Sequence, residues 1–215
     1  MPSDMPEQSY PAPRSRLKEK ETPMKNFNIY LCGVGGQGIG LISEVILRAA
    51  DHAGLQAIGV DTHGLAQRGG IVASQIRIGR EVYSPLVSPS TADMVISLER
   101  TEALRGAAEY LKPNGTLVYF DARWQPLPVR LGAVKEIVAE DVENFCQQNS
   151  FRLICVKEND LPDPRMQNMA LLAQICRENL VAGVEAKHYQ MAMNDLMDGS
   201  MLEKNLALFN RLSAR

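Results

Sequence analysis

An apolar run that stops at a cluster of glycines and then turns into a helical pattern is the feature that most constrains the fold. The run is Phe27–Cys32, the cluster is Gly33–Gly38 (GVGGQG), and the helical pattern covers Ile39–Ala53. A short apolar run predicts a buried strand, and apolar residues three and four apart predict an amphipathic helix. With a second strand at Gln56–Val60, these segments predict a Rossmann-like strand–loop–helix–strand unit.

The rest of the chain continues the α/β pattern. Further strands are predicted at Ile71–Ile78, Met94–Leu98 and Thr116–Phe120, with weaker candidates at Lys135–Ala139 and Phe151–Val156. Helices are predicted at Thr101–Leu111, Arg165–Ala182, Lys187–Met197 and Leu202–Leu212. Strands that alternate with helices favour a three-layer α/β/α fold with a mostly parallel sheet, here followed by C-terminal helices.

The domain organisation follows from length and composition. Residues 1–24 are rich in proline, serine and charged residues, which is typical of a mobile tail. Residues 25–215 are long enough for one α/β domain, and the chain is 45% hydrophobic. We therefore expect a single domain over 25–215 preceded by a disordered tail.

Charge and hydropathy exclude several classes of protein. The formal net charge of -2 gives no basic surplus for nucleic acid or an anionic membrane. No apolar run is long enough to span a bilayer, and the N-terminus lacks the apolar core of a secretory signal. These features favour a soluble cytoplasmic protein.

The first candidate site is the glycine cluster itself. Glycines let the backbone turn sharply and approach a ligand closely, and the following helix N-terminus suits an anion. Gly33, Gly35 and Gly38 also fit the dinucleotide pattern G-x-G-x-x-G, and Asp61 ends the second strand where a ribose-binding acid would lie. A dinucleotide site, another phosphate or cofactor contact, and a plain packing turn stay open on this motif alone.

The second candidate site is the segment His63–Gly70 (HGLAQRGG), directly after the second strand. A loop in this position lies at the carboxyl edge of an open sheet, beside the first glycine loop. The Arg68 guanidinium could recognise a carboxylate or phosphate, and His63 could donate a hydrogen bond or shuttle a proton. The structural alternatives are an ion pair of Arg68 with Asp61 or another acid, and a loop histidine at position 63 whose hydrogen bonds are satisfied within the chain.

The cysteines carry no metal signature. Cys32, Cys146, Cys155 and Cys176 are far apart, and none has CxxC spacing or a nearby histidine. Iron–sulfur clusters and zinc sites need closely spaced soft ligands. We expect buried apolar thiols and no metal in this chain, so that any cluster lies on another chain.

The two glycine motifs together resemble one family. GVGGQG at Gly33–Gly38 and HGLAQRGG at His63–Gly70 are similar to the gamma domain of pyruvate and 2-oxoacid:ferredoxin oxidoreductases. The second motif is most similar to the small (beta) subunit of indolepyruvate ferredoxin oxidoreductase. Supporting features include Asn168-Met169 at the start of a late helix and the segment Asn205–Phe209, and the likeness covers about residues 26–210. Residues 122–165 match the family least.

The resemblance implies the chemistry. These enzymes decarboxylate a 2-oxoacid on thiamine diphosphate, pass electrons through [4Fe-4S] clusters to ferredoxin, and form an acyl-CoA. A large partner subunit carries thiamine diphosphate, Mg²⁺ and the clusters, so this chain would bind no cofactor alone and would be inactive alone. A homodimer of the isolated chain stays open.

The resemblance also implies a set of site residues. Backbone contacts to the cofactor region are expected at the residues Gly33, Gly35, Gly36, Gln37, Gly38, Gly69 and Gly70. Arg68, with His63 as the weaker candidate, would have an accessory catalytic role. Two alternatives remain: a free-standing NAD(P)- or FAD-binding Rossmann protein, and a non-catalytic scaffold of the same fold.

Overall fold

One mixed sheet forms the centre of the molecule. The computed structural model describes residues 26–63, 70–123, 125 and 127–214. The strands are β1 (Phe27–Val34), β2 (Ala57–His63), β3 (Ile71–Ile78), β4 (Ala92–Ser97), β5 (Leu111–Phe120) and β6 (Arg152–Val156). The helices are α1 (Ile39–His52), α2 (Arg100–Tyr110), α3 (Leu127–Arg130), α4 (Ala139–Gln148), α5 (Gln167–Arg177), α6 (Ala186–Leu196) and α7 (Gly199–Ser213). The expected tail, residues 1–24, lies outside the described residues.

The strand order is β2-β3-β1-β4-β5-β6. β1 pairs in parallel with β4, β4 with β5, and β5 with β6, whereas β3 is antiparallel to both β1 and β2. Every strand except β3 therefore runs in the same direction, which confirms the predicted α/β fold. β1 and β2 are parallel, as the predicted unit requires, but β3 lies between them.

Helices cover both faces of the sheet, and β1 is buried on both sides. Ile29 and Leu31 point into a core formed with α1, α5, α6 and α7, whereas Tyr30 and Cys32 point into a core formed with α2 and α4. This explains why the β1 sequence is continuously apolar rather than alternating. No helix in the described part of the chain is both long and apolar enough to cross a membrane.

Helix α1 has the boundaries that its sequence predicts. Its buried residues recur at helical spacing on one face, namely Ile39, Ile42, Val45, Ile46 and Ala49. The helix closes at Gly54, which has φ of +73°, and Leu55 N donates to Ala50 O at 2.9 Å. Glycine adopts this left-handed conformation without the steric cost that a Cβ imposes.

Two local predictions differ from the structure. The strand candidate Lys135–Ala139 is wrong: residues 135–138 are irregular and Ala139 begins α4. Val138 precedes this helix, and its N donates to Asp141 Oδ2 at 2.9 Å. The helix predicted to reach Ala182 ends at Arg177. Asn179 there has φ of +53°, and the helix is capped before the apolar pattern of the sequence stops.

Candidate functional site

The chain changes sides of the sheet between β1 and β4. After β1 it enters α1 on one face, and after β4 it enters α2 on the other face. The loops that leave the carboxyl ends of these two neighbouring parallel strands therefore diverge and leave a crevice between them. In open α/β sheets this is the position where ligands bind. The predicted glycine loop lies at this point.

The glycine loop has the backbone that only glycine adopts readily. Gly36 has φ of +97° and Gly38 has φ of +87°. A Cβ on Gly38 would lie 2.6 Å from Nδ2 of Asn168, in the first turn of α5, whereas a Cβ on Gly36 would meet nothing within 4 Å. Gly38 is therefore needed for packing as well as for conformation. Gly36 is exposed and presents bare backbone outward.

Gln37 fastens the loop to the ends of both strands. Its Oε1 accepts a hydrogen bond from Val34 N at 2.8 Å, and its Nε2 donates to Leu98 O at 3.4 Å. A Cβ on Gly33 would lie 2.9 Å from that Oε1. The sequence predicts a cofactor contact for both Gly33 and Gln37, but their nearest described partners are parts of this chain.

The two glycine-rich segments meet. Gly35 N donates to Gly70 O at 2.8 Å, and this bond extends the antiparallel pairing of β1 with β3 by one step. His63 ends β2 opposite Val72, so both ends of the second segment lie at the carboxyl edge of β1. The predicted convergence of the two segments is thus present at Gly35 and Gly70. Residues 64–69, including the candidates Arg68 and Gly69, lie outside the described residues, as does the side chain of His63.

Asp61 is not arranged as a ribose-binding acid. Ser74 Oγ donates to its Oδ1 at 2.5 Å, and its Oδ2 lies 3.5 Å from the position of a Cβ on Gly40, in the first turn of α1. A dinucleotide fold places this acid on the strand next to β1, but here β3 occupies that place. The geometry therefore disfavours the dinucleotide hypothesis.

The end of β4 supplies the other wall of the crevice. Ser97 and Glu99 are fully buried, and the Glu99 carboxylate caps α2 by accepting from Thr101 N at 2.8 Å and from Glu102 N. Burial raises the pKa of Glu99 above its usual range, against the opposing effect of the backbone hydrogen bonds from Thr101 and Glu102. We call the set Gly33–Gly38, Gly70 and Leu98–Glu99 the glycine rim.

Beyond β4, the same edge is ionic. Arg100 Nε lies 2.5 Å from Asp121 Oδ1, and Lys157 Nζ lies 3.1 Å from Asp121 Oδ2. Burial alone would raise the pKa of Asp121, but the hydrogen bonds from Arg100 and Lys157 outweigh it and lower that pKa. We call these three residues the ionic rim. Sequence reasoning missed it because the three residues follow β4, β5 and β6 and meet only in the folded sheet.

The described residues do not suit a metal or an iron–sulfur cluster. Among them, no group of three histidine, cysteine, aspartate or glutamate side chains converges. Cys32 is fully buried and its Sγ donates to Glu102 O at 3.2 Å, and burial raises the pKa of its thiol. Burial also raises the pKa values of Cys146, Cys155 and Cys176. Since a cluster ligand is a thiolate, such environments oppose ligation.

Comparison with known sequences identifies close relatives. A profile described as pyruvate ferredoxin/flavodoxin oxidoreductase matches residues 28–213. A protein of Archaeoglobus fulgidus named indolepyruvate oxidoreductase subunit IorB is 32% identical over 184 residues, which cover 83% of this chain and 90% of that protein. A protein of the same name from Thermococcus kodakarensis is 39% identical over 127 residues, which cover 55% of this chain and 62% of that protein.

Solved structures share the fold. Pyruvate oxidoreductase subunit PORC of Thermotoga maritima superposes with a TM-score of 0.61 at 19% identity, covering 89% of this chain and 97% of that chain. The gamma subunit of a keto/oxoacid ferredoxin oxidoreductase from Geobacter sulfurreducens gives 0.60 at 19% identity, with 87% and 96% covered. A 2-oxoglutarate:ferredoxin oxidoreductase of Magnetococcus marinus gives 0.63 at 18% identity, and there the match spans 88% of this chain but 31% of the other.

Proposed function

Because this chain belongs to the pyruvate ferredoxin/flavodoxin oxidoreductase family, we propose that it is the small subunit of a thiamine-dependent 2-oxoacid:ferredoxin oxidoreductase. The observation that carries the proposal is the hydrogen bond from Gly35 N to Gly70 O. It joins the two glycine-rich segments at the carboxyl end of β1, the strand that borders the crevice with β4. Among the described residues this site presents backbone rather than paired catalytic side chains, which suits a subunit that completes another subunit's active site.

The proposed reaction of the whole complex is an oxidative decarboxylation. A 2-oxoacid anion and coenzyme A give an acyl-CoA, carbon dioxide and one proton, which comes from the coenzyme A thiol. The two electrons that are released reduce two ferredoxin molecules by one electron each. Thiamine diphosphate supplies the carbanion stabilisation when it is bound. The described residues of this chain offer no ligand set for a cluster or a metal. The proposal therefore assigns thiamine diphosphate, Mg²⁺ and the [4Fe-4S] clusters to a large partner subunit.

In this proposal the glycine rim is the surface that approaches the partner's cofactor. Gly36 is exposed, has open space around its Cβ position, and stands at the N-terminus of α1. Among the described residues no side chain caps that helix end, so backbone N–H groups of its first turn can serve an anionic group. Gly70 continues the same surface through its hydrogen bond with Gly35, and the proposal extends this role to Gly69. The fully buried Glu99 carboxylate behind it fixes the direction of α2.

Arg68 is proposed to contact the substrate or cofactor region, with His63 in a weaker accessory role. The support is positional: the ends of their segment, His63 and Gly70, lie at the carboxyl edge of β1. An arginine there offers a fork of donors for a carboxylate or phosphate. In the assembled complex Arg68→Ala should lower turnover while the complex still forms. Unchanged turnover would remove Arg68 from the site.

The substrate class is proposed from the relatives. Both sequence relatives described above are named for indolepyruvate, and an arylpyruvate is therefore the first substrate to test. The chain's own described residues do not distinguish arylpyruvates from other 2-oxoacids. A screen of indolepyruvate, phenylpyruvate, pyruvate and 2-oxoglutarate on the same complex would rank them.

The experiment that tests the proposal is reconstitution. The tagged chain is purified from its native cells, and a co-purifying large subunit is identified and analysed for iron and thiamine diphosphate. Ferredoxin reduction with an arylpyruvate and coenzyme A is then measured for the chain alone, the large subunit alone and the mixture. The proposal predicts activity in the mixture only. The proposal is contradicted if the chain elutes without a partner and does not increase ferredoxin reduction when it is mixed with a thiamine-bearing subunit.

A further inference from the structure

The side chain of Gln37 is engaged at both ends by backbone of its own chain. Oε1 accepts from Val34 N at 2.8 Å, and Nε2 donates to Leu98 O at 3.4 Å. Only one orientation of the amide serves a donor on one side and an acceptor on the other, so the two contacts define it. We call these two hydrogen bonds of the Gln37 amide the clip. An amide that is hydrogen-bonded at both ends connects two loops and does not point toward a ligand.

The absence of a side chain at Gly33 leaves room for the Gln37 amide. A Cβ at Gly33 would lie 2.9 Å from Gln37 Oε1 and 3.0 Å from Ile39 Cδ1. Real Cβ contacts at 2.9 Å are not tolerated without a shift of the neighbour. The first glycine of the motif is therefore explained by space for an amide and for the first residue of α1. A ligand is not required to explain it.

Leu98, which accepts the second hydrogen bond of the clip, is itself held in place. Leu98 is fully buried, and its N donates to Cys32 O at 3.3 Å. Ser97 Oγ donates to Glu99 O at 2.9 Å and fixes the next turn of the chain. Gln37 therefore ties the glycine loop to a part of β4 that is held in place independently.

We propose that Gln37 is a positioning residue that clips the β1–α1 loop to the end of β4 and so presents the backbone of Gly35 and Gly36 in one arrangement. Without the clip, the loop loses conformational freedom only when the partner binds. The partner's affinity falls because binding then includes the entropic cost of ordering the loop. The clip itself is a property of this chain alone. Its consequence for the complex rests on the function proposed above.

The first test uses the full-length chain by itself. In Gln37→Met the amide of Val34 loses its acceptor, and its hydrogen exchange should accelerate about tenfold, as the loss of one hydrogen bond predicts. The amide of Ile29, at the centre of β1, should exchange as before. The control is Gln190→Met, which removes a glutamine bond to Asn210 between α6 and α7 and should leave Val34 unchanged. Unaltered exchange of Val34 in Gln37→Met overturns the clip.

A second, independent test does not depend on that variant's exchange. Gly33→Ala should lower Tm in the wild-type background, because its Cβ displaces the Gln37 amide. The drop should be smaller in a Gln37→Ala background, where only the contact with Ile39 remains. Equal drops in the two backgrounds overturn the proposed contact between Gly33 and Gln37.

The third test separates positioning from catalysis in the complex. Gln37→Met should raise the concentration of chain needed for half-maximal turnover about tenfold, a larger factor than its effect on turnover at saturation. Gln37→Glu should approach wild type as the pH is lowered, because a protonated carboxyl can again donate to Leu98 O. A loss of saturated turnover that exceeds the loss of affinity, or a pH-independent ratio of Gln37→Glu activity to wild-type activity, overturns the positioning role. If the wild-type mixture is itself inactive, the proposed function fails and the exchange of Val34 still decides the clip.

Discussion

The carboxyl edge of the sheet has two halves that are held together by different forces. The glycine rim over β1 and β4 is built from backbone hydrogen bonds, a neutral amide and glycines. The ionic rim over β4 to β6 is built from Arg100, Asp121 and Lys157, which satisfy one another. The comparison indicates that the ionic half stabilises the edge, whereas the glycine half leaves bare backbone available to a partner.

The two halves also shift the pKa of a buried carboxyl group in opposite directions. Glu99, with backbone N–H partners, has a raised pKa because burial dominates. Asp121, with two cationic partners, has a lowered pKa because those partners outweigh its burial. The charge of Asp121 is thus supported by its neighbours, while the charge of Glu99 is disfavoured.

The largest expected effect on stability lies in the glycine rim. Gly38→Ala should lower the free energy of unfolding by about 3 kcal/mol, since a left-handed φ costs an L-residue about 1–2 kcal/mol and the contact with Asn168 adds strain. Gly36→Ala is the matched control. It has the same sign of φ but open space around its Cβ position, and it should lose about 1 kcal/mol. Chemical denaturation measures both, and equal losses would show that Asn168 does not constrain Gly38.

The next effect lies in the ionic rim. Asp121→Asn should lower the free energy of unfolding by about 2 kcal/mol, because it leaves Arg100 and Lys157 without their shared anion. Glu178→Gln is the control. Its pair with Arg152 is far more exposed and should contribute less than about 1 kcal/mol. If both variants lose the same small amount, the ionic rim does not stabilise the edge.

The smallest effect concerns pH and tests the contrast between the two carboxyl groups. The folded pKa of Asp121 is lowered, so its contribution to stability is present above its unfolded pKa of about 4 and is lost as the pH falls through the folded value. The folded pKa of Glu99 is raised. Its contribution is therefore present below its unfolded pKa of about 4.3 and falls as the pH rises through the folded value. Carboxyl-carbon NMR titration should place Glu99 above Asp121, and the reverse order contradicts the account.

Much of the fold could be predicted from local patterns. The continuous apolar run of β1, the helical spacing of α1 and its end at Gly54 all follow from short-range preferences. The placement of β3 between β1 and β2 could not be predicted, because strand pairing is non-local. The sequence of β3 alone does not indicate which strands it pairs with. The false strand at Lys135–Ala139 has a similar cause. Its apolar residues find no neighbouring strand, and Val138 stays 37% exposed.

Part of the candidate site could likewise be predicted from local patterns, and part of it could not. The sequence located the glycine loop and the approach of Gly70, since position after a strand determines the edge of the sheet. The side-chain contacts of Gln37 could not be predicted, because a motif does not show whether a side chain turns outward or back onto Val34 and Leu98. The fit of Asn168 against Gly38 joins residues far apart in the chain and required the tertiary structure.

The proposed function places the glycine rim against the large subunit. Gly36→Asn tests it most directly, because asparagine tolerates a positive φ and its side chain would project into the open space at Gly36. Gly54→Asn is the matched control, with a positive φ and open space at the other end of α1. The measurement is the affinity of each variant for the purified large subunit. We expect binding at least about tenfold weaker for Gly36→Asn and unchanged binding for Gly54→Asn. Equal affinities for both variants would mean that the glycine rim does not meet the large subunit.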